Sequence, residues 1–130
     1  NKNEITKAIL SNRVNLKKII NVVHLEIKKA LKLFLKKNKN KEVVILDIPL
    51  LLENKINKKK DILVFIDAKK IDIERKIKKR INFNRKLFNK FKKIQYSSKY
   101  KKKRSHFVIK NNFTKKSVRV GINYILNKIL

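Results

Sequence analysis

A chain of 130 residues that is 42% hydrophobic and 36% charged, with a formal charge of +29, is long enough for one domain and too apolar for a disordered tail. The absence of cysteine excludes a disulfide framework and any thiolate-held zinc or iron–sulfur centre, and the two histidines, His24 and His106, lie too far apart in sequence to begin another transition-metal site. No apolar run approaches the roughly 20 residues of a membrane helix and no signal-peptide order opens the chain, so the expectation is a soluble intracellular protein without a membrane partner.

A helical pattern begins almost at Asn1, and from Leu16 the residues Ile19, Ile20, Val23, Ile27, Ala30, Leu31 and Phe34 recur at three- and four-residue steps while lysines fill the opposite face. This predicts an amphipathic helix that ends in the polar loop 36–41. Residues 43–48 form a β-branched run with little alternation, stopped by Pro49, and residues 62–66 form a second run that ends at Asp67. Both read as strands covered on two faces, as in a parallel sheet. Helical periodicity returns over residues 71–81 and 87–94, with Asn84 placed as a cap. A last short strand, residues 107–109, precedes Asn111 and Asn112, and Thr114 caps a closing helix whose stripe is Val118, Ile122, Ile125, Leu126 and Ile129.

Helix, strand, strand, helices, strand and helix in that order argue for an α/β domain with a mainly parallel sheet, whose ligands bind beyond the carboxyl ends of the strands. The expected functional loops are residues 47–54, 67–70 and 110–113. The basic balance names no partner. Lys (32), Ile (19) and Asn (16) make up half the chain, all three have A/T-rich codons, and compositional drift raises lysine without selecting a nucleic-acid site.

Asp47-Ile48-Pro49-Leu50-Leu51-Leu52-Glu53-Asn54 is the most informative segment, since a rigid proline, three leucines and an acid at a strand's end make an unusual loop. The leucines fill space beneath the loop. Glu53 is either fixed at the crevice or an ordinary solvated loop acid. The stretch resembles the Pro-Leu-Leu-Phe/Leu/Val-Glu motif of dephospho-coenzyme A kinases, a family of P-loop kinases. His24, after residues 16–23, resembles the family's His-Pro step, with Leu25 where the proline stands. Val64-Phe65-Ile66-Asp67 resembles the next strand, residues 75–80 the lid helix, Gln95 the lid glutamine, and Phe107-Val108-Ile109-Lys110-Asn111 the strand that ends in asparagine.

That resemblance implies a P-loop kinase-like three-layer fold and transfer of the ATP γ-phosphoryl group to the 3′-hydroxyl of dephospho-coenzyme A, with Mg²⁺ accompanying ATP, in the cytoplasm. It implies a single partial kinase domain: residues 1–40 as a helical substrate-side part, 41–70 as core strands, 71–104 as lid helices, 105–130 as the last strand and closing helix. Phosphoryl transfer asks for positioning and charge neutralisation, so Arg75, Lys76 and Arg80 become the lid cations over the phosphates. Lys76 stands where a lid arginine is usual and lacks its bidentate fork. Pro49, Leu50 and Glu53 fall on the substrate side, Asn111 at the adenine end, and Asp47 near Mg²⁺ through water. His24 reads as a structural helix residue, and His106 receives no role.

The chain lacks Gly-x-x-x-x-Gly-Lys-Ser/Thr, and its only glycine, Gly121, lies in the closing helix. The expectation is a piece without its first strand and P-loop, inactive by itself. A second reading is a basic RNA- or DNA-binding module, motivated by +29 and by Tyr96, Tyr100 and Phe107 interleaved with Lys99 and the 101–104 basic run. Most aromatics fall on predicted core stripes, so specific nucleic-acid recognition is not expected.

Overall fold

Asparagine, serine and threonine side chains start most of the helices. In a computed structural model, which describes the backbone of residues 1–130 and every side chain except those of Lys2 and Arg13, Asn1 caps α1 (Lys2–Ser11) and Asn12 caps α2 (Arg13–Lys37). Asn12 is also the break between them. Its extended backbone (φ −144°, ψ 137°) ends one helix, and its Oδ1 accepts from the Val14 N–H at 2.8 Å to begin the next. Ile9 and Leu16 bury at this elbow, where α1 packs on α2 and on α4.

The second centre is a parallel pair of strands, β1 (Val64–Asp67) and β2 (Phe107–Lys110), in register from Val64 opposite Phe107 to Asp67 opposite Lys110. Between them run α3 (Lys70–Lys78), α4 (Arg85–Ile94) and α5 (Ser98–Arg104), and α6 (Lys115–Ile129) closes the chain against β2. Ile109 and Ile125 bury where α6 meets β2. Gly121 permits that approach: a Cβ there would stand 2.7 Å from Ile109 Cγ2. Phe107 turns its ring to the edge of Tyr124, centroids 6.3 Å apart. The strand pair is α/β with parallel order, as the element sequence predicts.

The run 43–48 is a correction. It forms no strand, because among the described residues no segment exchanges backbone hydrogen bonds with it. Val44, Leu46 and Ile48 are half-buried, whereas Ile45 is 84% exposed, so the expected double-sided cover is absent. The same holds for β1. Val64 and Ile66 share the face that Phe107 and Ile109 present to α6, yet remain 40% and 50% exposed because α6 covers only the β2 half. The chain exposes 11419 Å² in all, against about 7,200 Å² expected of a folded monomer of this mass. Its apolar faces are partly uncovered.

The lid region also differs in detail. The helix over 71–81 stops at Lys78, so Arg80 lies in the turn beyond it. Residues 98–104 form α5, a short helix that Ser97 caps by accepting from the Tyr100 N–H at 3.2 Å. Lysine density hides that helix in the sequence, since it carries no apolar stripe.

Candidate functional site

Parallel pairing brings the carboxyl ends of β1 and β2 side by side, and the residues that follow each strand are tied together there. The Asn111 N–H donates to the Asp67 carbonyl at 2.8 Å. Asn111 Oδ1 in turn accepts from the Phe113 N–H at 2.7 Å, an Asx turn that holds Phe113 at φ 64°. Asn112 builds the next turn, its Oδ1 accepting from the Thr114 N–H at 3.0 Å and from the Thr114 hydroxyl at 2.7 Å. The loop is therefore stiff without a glycine.

Lys76 of α3 places its ammonium 5.4 Å from the centre of the Phe113 ring, a cation–π contact that brings α3 over this corner. Arg75 turns to Asp72 one helical turn earlier, at 3.5 Å, and both side chains are reachable by water or ligand. Arg80 makes no ion pair among the described residues, and its position past the end of α3 separates it from the helix that carries the other two. The three expected lid cations thus occupy three settings: one over the corner, one held by its own helix, one on a turn.

Asp67 lies at the end of β1 and its carboxylate is taken by Lys102 of α5 at 2.9 Å. Asp47, at the end of the 43–48 run, is exposed and makes no ion pair among the described residues. Beside the corner, Lys110, Asn112, Thr114, Lys116, Ser117, Val120 and Gly121 line an open cavity of about 420 Å³ with two lysines and no acid. No group of three or more His, Cys, Asp or Glu gathers among the described residues. Mg²⁺ bound with a nucleotide needs only one or two carboxylates besides phosphate oxygens. Asp47, an exposed acid with no ion pair among the described residues, has the chemistry for one such ligand.

Glu53 is placed differently from an open crevice acid. After Pro49, Leu50 turns through φ 56° and the chain winds tightly, with Asn54 N–H donating to Leu50 carbonyl at 3.0 Å and Ile56 N–H to Leu51 carbonyl at 3.0 Å. Leu50, Leu51 and Leu52 are half-buried under this turn and Pro49 is exposed. The Glu53 side chain is 8% exposed, and its Oε1 accepts from Lys101 Nζ and from the Tyr96 N–H, each at 2.8 Å. Lys101 Nζ also reaches Gln95 Oε1 at 3.3 Å. Burial acts to raise the Glu53 pKa. Hydrogen bonds from Lys101 and from the Glu53 and Tyr96 backbone, together with the Lys101 charge, outweigh it and hold the carboxyl below its ordinary range. The 47–54 loop is in this way fastened to the joint between α4 and α5.

Several of these partners were not legible beforehand. Lys101 and Lys102 sit in a run of five basic residues in six, 99–104, where no single lysine stands out. His106, given no role from sequence, forms the entry to the sheet: its N–H donates to the Leu63 carbonyl at 2.8 Å, and its Nδ1 accepts from the Leu63 N–H at 2.9 Å. Lys90 of α4 donates to the Ile9 and Leu10 carbonyls, closing the end of α1. His24 is half-buried on α2.

A family model described as dephospho-CoA kinase matches residues 1–117. A dephospho-CoA kinase of Wolbachia pipientis wMel is 28% identical over 127 residues, 96% of this chain and 65% of the relative. One from Fusobacterium nucleatum subsp. nucleatum is 34% identical over 110 residues, 84% of this chain and 56% of the relative. A third, from Wolbachia sp. subsp. Brugia malayi (strain TRS), is 27% identical over 133 residues, covering 97% and 68%. The chain therefore spans roughly 56% to 68% of the length of these curated relatives.

Proposed function

Because this chain belongs to the dephospho-coenzyme A kinase family, we propose that the protein it forms part of transfers the γ-phosphoryl group of ATP to the 3′-hydroxyl of dephospho-coenzyme A, giving coenzyme A and ADP. The observation that supports this reading best is the corner at the strand ends, where Asn111 N–H is bonded to the Asp67 carbonyl and Lys76 stands over Phe113. That arrangement sets a cation-bearing helix above the place where a nucleotide binds in a parallel α/β sheet.

Each residue has a part in the proposal. Lys76 and Arg75 neutralise charge that spreads over the transferred phosphoryl oxygens, and Arg80 joins them when its turn swings inward. The Asn111 oxygen is committed to its own loop, so its side-chain NH₂ is the group that faces the base. Asp47 is the residue that would hold Mg²⁺, and the ion would supply charge neutralisation to the phosphates. Pro49 and Leu50 shape the acceptor side, while Glu53 acts there by fixing the loop. Nothing in the chain supplies the glycine-rich cradle that P-loop kinases wrap around ATP phosphates. The chain alone is therefore expected to be inactive, and the complete protein to work in the cytoplasm with ATP and dephospho-coenzyme A as its only specific partners. No described helix is long and apolar enough to cross a membrane.

The test is coenzyme A formation by the complete gene product, supplied with ATP, Mg²⁺ and dephospho-coenzyme A. Turnover that falls about 100-fold or more in Lys76→Ala is the expected result, in the range seen when one transition-state charge partner is removed. A folded gene product that forms no coenzyme A refutes the reading.

A further inference from the structure

The aromatic and basic residues interleaved over 96–107 do not stay together in the fold. Phe107 enters β2 and meets Tyr124. Tyr96 and Tyr100, four residues apart, instead meet across the start of α5 with ring centroids 4.7 Å apart and planes tilted by 58°. Tilted rings do not cover one another, and each keeps part of its face open. Both are about half-exposed. They line a cavity of about 270 Å³ together with Leu52, Lys55, Asn57 and Arg104.

This cavity shares no lining residue with the strand-end corner or with the 420 Å³ opening beside it. Its cations are uncompensated. Lys101 of α5 is spent on Glu53, and Lys102 on Asp67. Lys55 and Arg104 form no ion pair among the described residues, and no acid lines the walls. The backbone that carries the rings is held in place: the Tyr96 N–H is anchored on Glu53 at 2.8 Å, and the Tyr100 N–H on Ser97 Oγ at 3.2 Å. Lys55 is presented by a backbone at φ 50°, fixed by the same wound turn that carries Glu53.

We propose that this cavity binds a small planar aromatic anion, with the ring stacked against Tyr96 or Tyr100 and its acidic group between Lys55 and Arg104. Aromatic faces attract a flat π-system whatever its identity, and a guanidinium reads a phosphate or carboxylate through paired N–H groups. The Asn57 amide adds one neutral polar contact. The volume suits one ring and one acid, not a run of stacked bases. Nothing in this assignment depends on phosphoryl transfer, so it stands or falls separately from the proposed kinase activity.

The probe is uridine 5′-monophosphate, whose ring is not the adenine of the proposed substrates, titrated into the whole chain by calorimetry. Uridine supplies the ring without the charge, and inorganic phosphate the charge without the ring. The expected result is saturable binding of the nucleotide at least tenfold tighter than of either. Tyr100→Leu and Tyr96→Leu should each weaken it about tenfold, within the range for losing one stacking partner. Tyr100→Phe and Tyr96→Phe keep the rings and should keep the affinity, which separates loss of the site from loss of fold. Arg104→Gln should weaken the nucleotide and leave uridine unchanged. Equal affinity for the nucleotide and inorganic phosphate overturns the proposal, since a chain of +29 attracts phosphate anywhere on its surface. So does undiminished binding in both leucine variants. A ten-residue oligothymidylate bound far more tightly, and lost in the same variants, overturns it in favour of a strand-binding surface.

Discussion

Glu53→Gln tests the fastening between the 47–54 loop and the α4–α5 joint. Glutamine keeps an oxygen where Oε1 accepts from the Tyr96 N–H, but it removes the charge that Lys101 faces at 2.8 Å. A hydrogen bond to a charged group contributes about 1.5–3 kcal/mol, and breaking a fully buried pair costs about 3–5 kcal/mol. Lys101 is 23% exposed and can turn to water once abandoned, so the lower figure governs and the loss is about 2 kcal/mol. That corresponds to a factor of about 30 in the opening equilibrium. Amide hydrogen exchange at Tyr96 should accelerate by this factor in the variant. The His106 amide, bonded to the Leu63 carbonyl at the other end of α5, should hold its rate. A pH series adds a second reading. The folded Glu53 carboxyl titrates below its ordinary 4.5, so the unfolded chain binds more protons in that interval. The stabilisation is complete above about pH 4.5 and is lost as pH falls through the lowered folded value, a slope that Glu53→Gln should remove. Unchanged Tyr96 exchange, or equal acceleration at Tyr96 and His106, would refute the local fastening.

Gly121→Ala should destabilise by about 1–2 kcal/mol, because a Cβ 2.7 Å from Ile109 Cγ2 forces α6 off β2 and the gain in helix propensity, about 1 kcal/mol, only partly offsets it. In an Ile109→Ala background, which removes the Cγ2 and Cγ1 atoms that the new Cβ would meet, Gly121→Ala should cost less, as a urea denaturation series would show. Asp67→Asn should change stability by less than about 1 kcal/mol, since the Asp67–Lys102 pair is largely solvated, and circular dichroism melts would show it. Thr114→Ala should cost about 1 kcal/mol through the lost cap on the Ser117 N–H. The open faces of β1 and the 43–48 run should drive self-association of the chain alone. Ile45→Lys, at a site that is nearly fully exposed, should reduce it in sedimentation velocity without lowering the melting temperature.

Much of the site was legible because its signals are local. Pro49 with its leucines, Asn84 and Thr114 as caps, and the β-branched runs before Asp67 and Lys110 each act within a few residues, so their elements appear where the pattern puts them. The 43–48 run carries the same local signal and still forms no strand. A strand exists only when a partner ladder takes up its N–H and C=O groups, and no composition within six residues supplies one. Glu53 shows the same division. Its residue type and place were evident, but whether it faces a ligand or a lysine depended on where residue 101 came to rest, 48 positions away.

By itself the sequence determined the helices that carry an apolar stripe, the caps at Asn84 and Thr114, the two strands that pair and the family resemblance, all properties of short windows or of their order. Tertiary structure alone decided that His106 closes onto Leu63, that Lys76 stands over Phe113, that Lys101 and Lys102 are spent on two different acids, and that Tyr96 and Tyr100 part from Phe107. The physical reason is one of degeneracy. In a chain with 32 lysines every cation has the same local description, and only packing, by bringing one ammonium to within 3 Å of a carboxylate and leaving its neighbour in water, tells them apart.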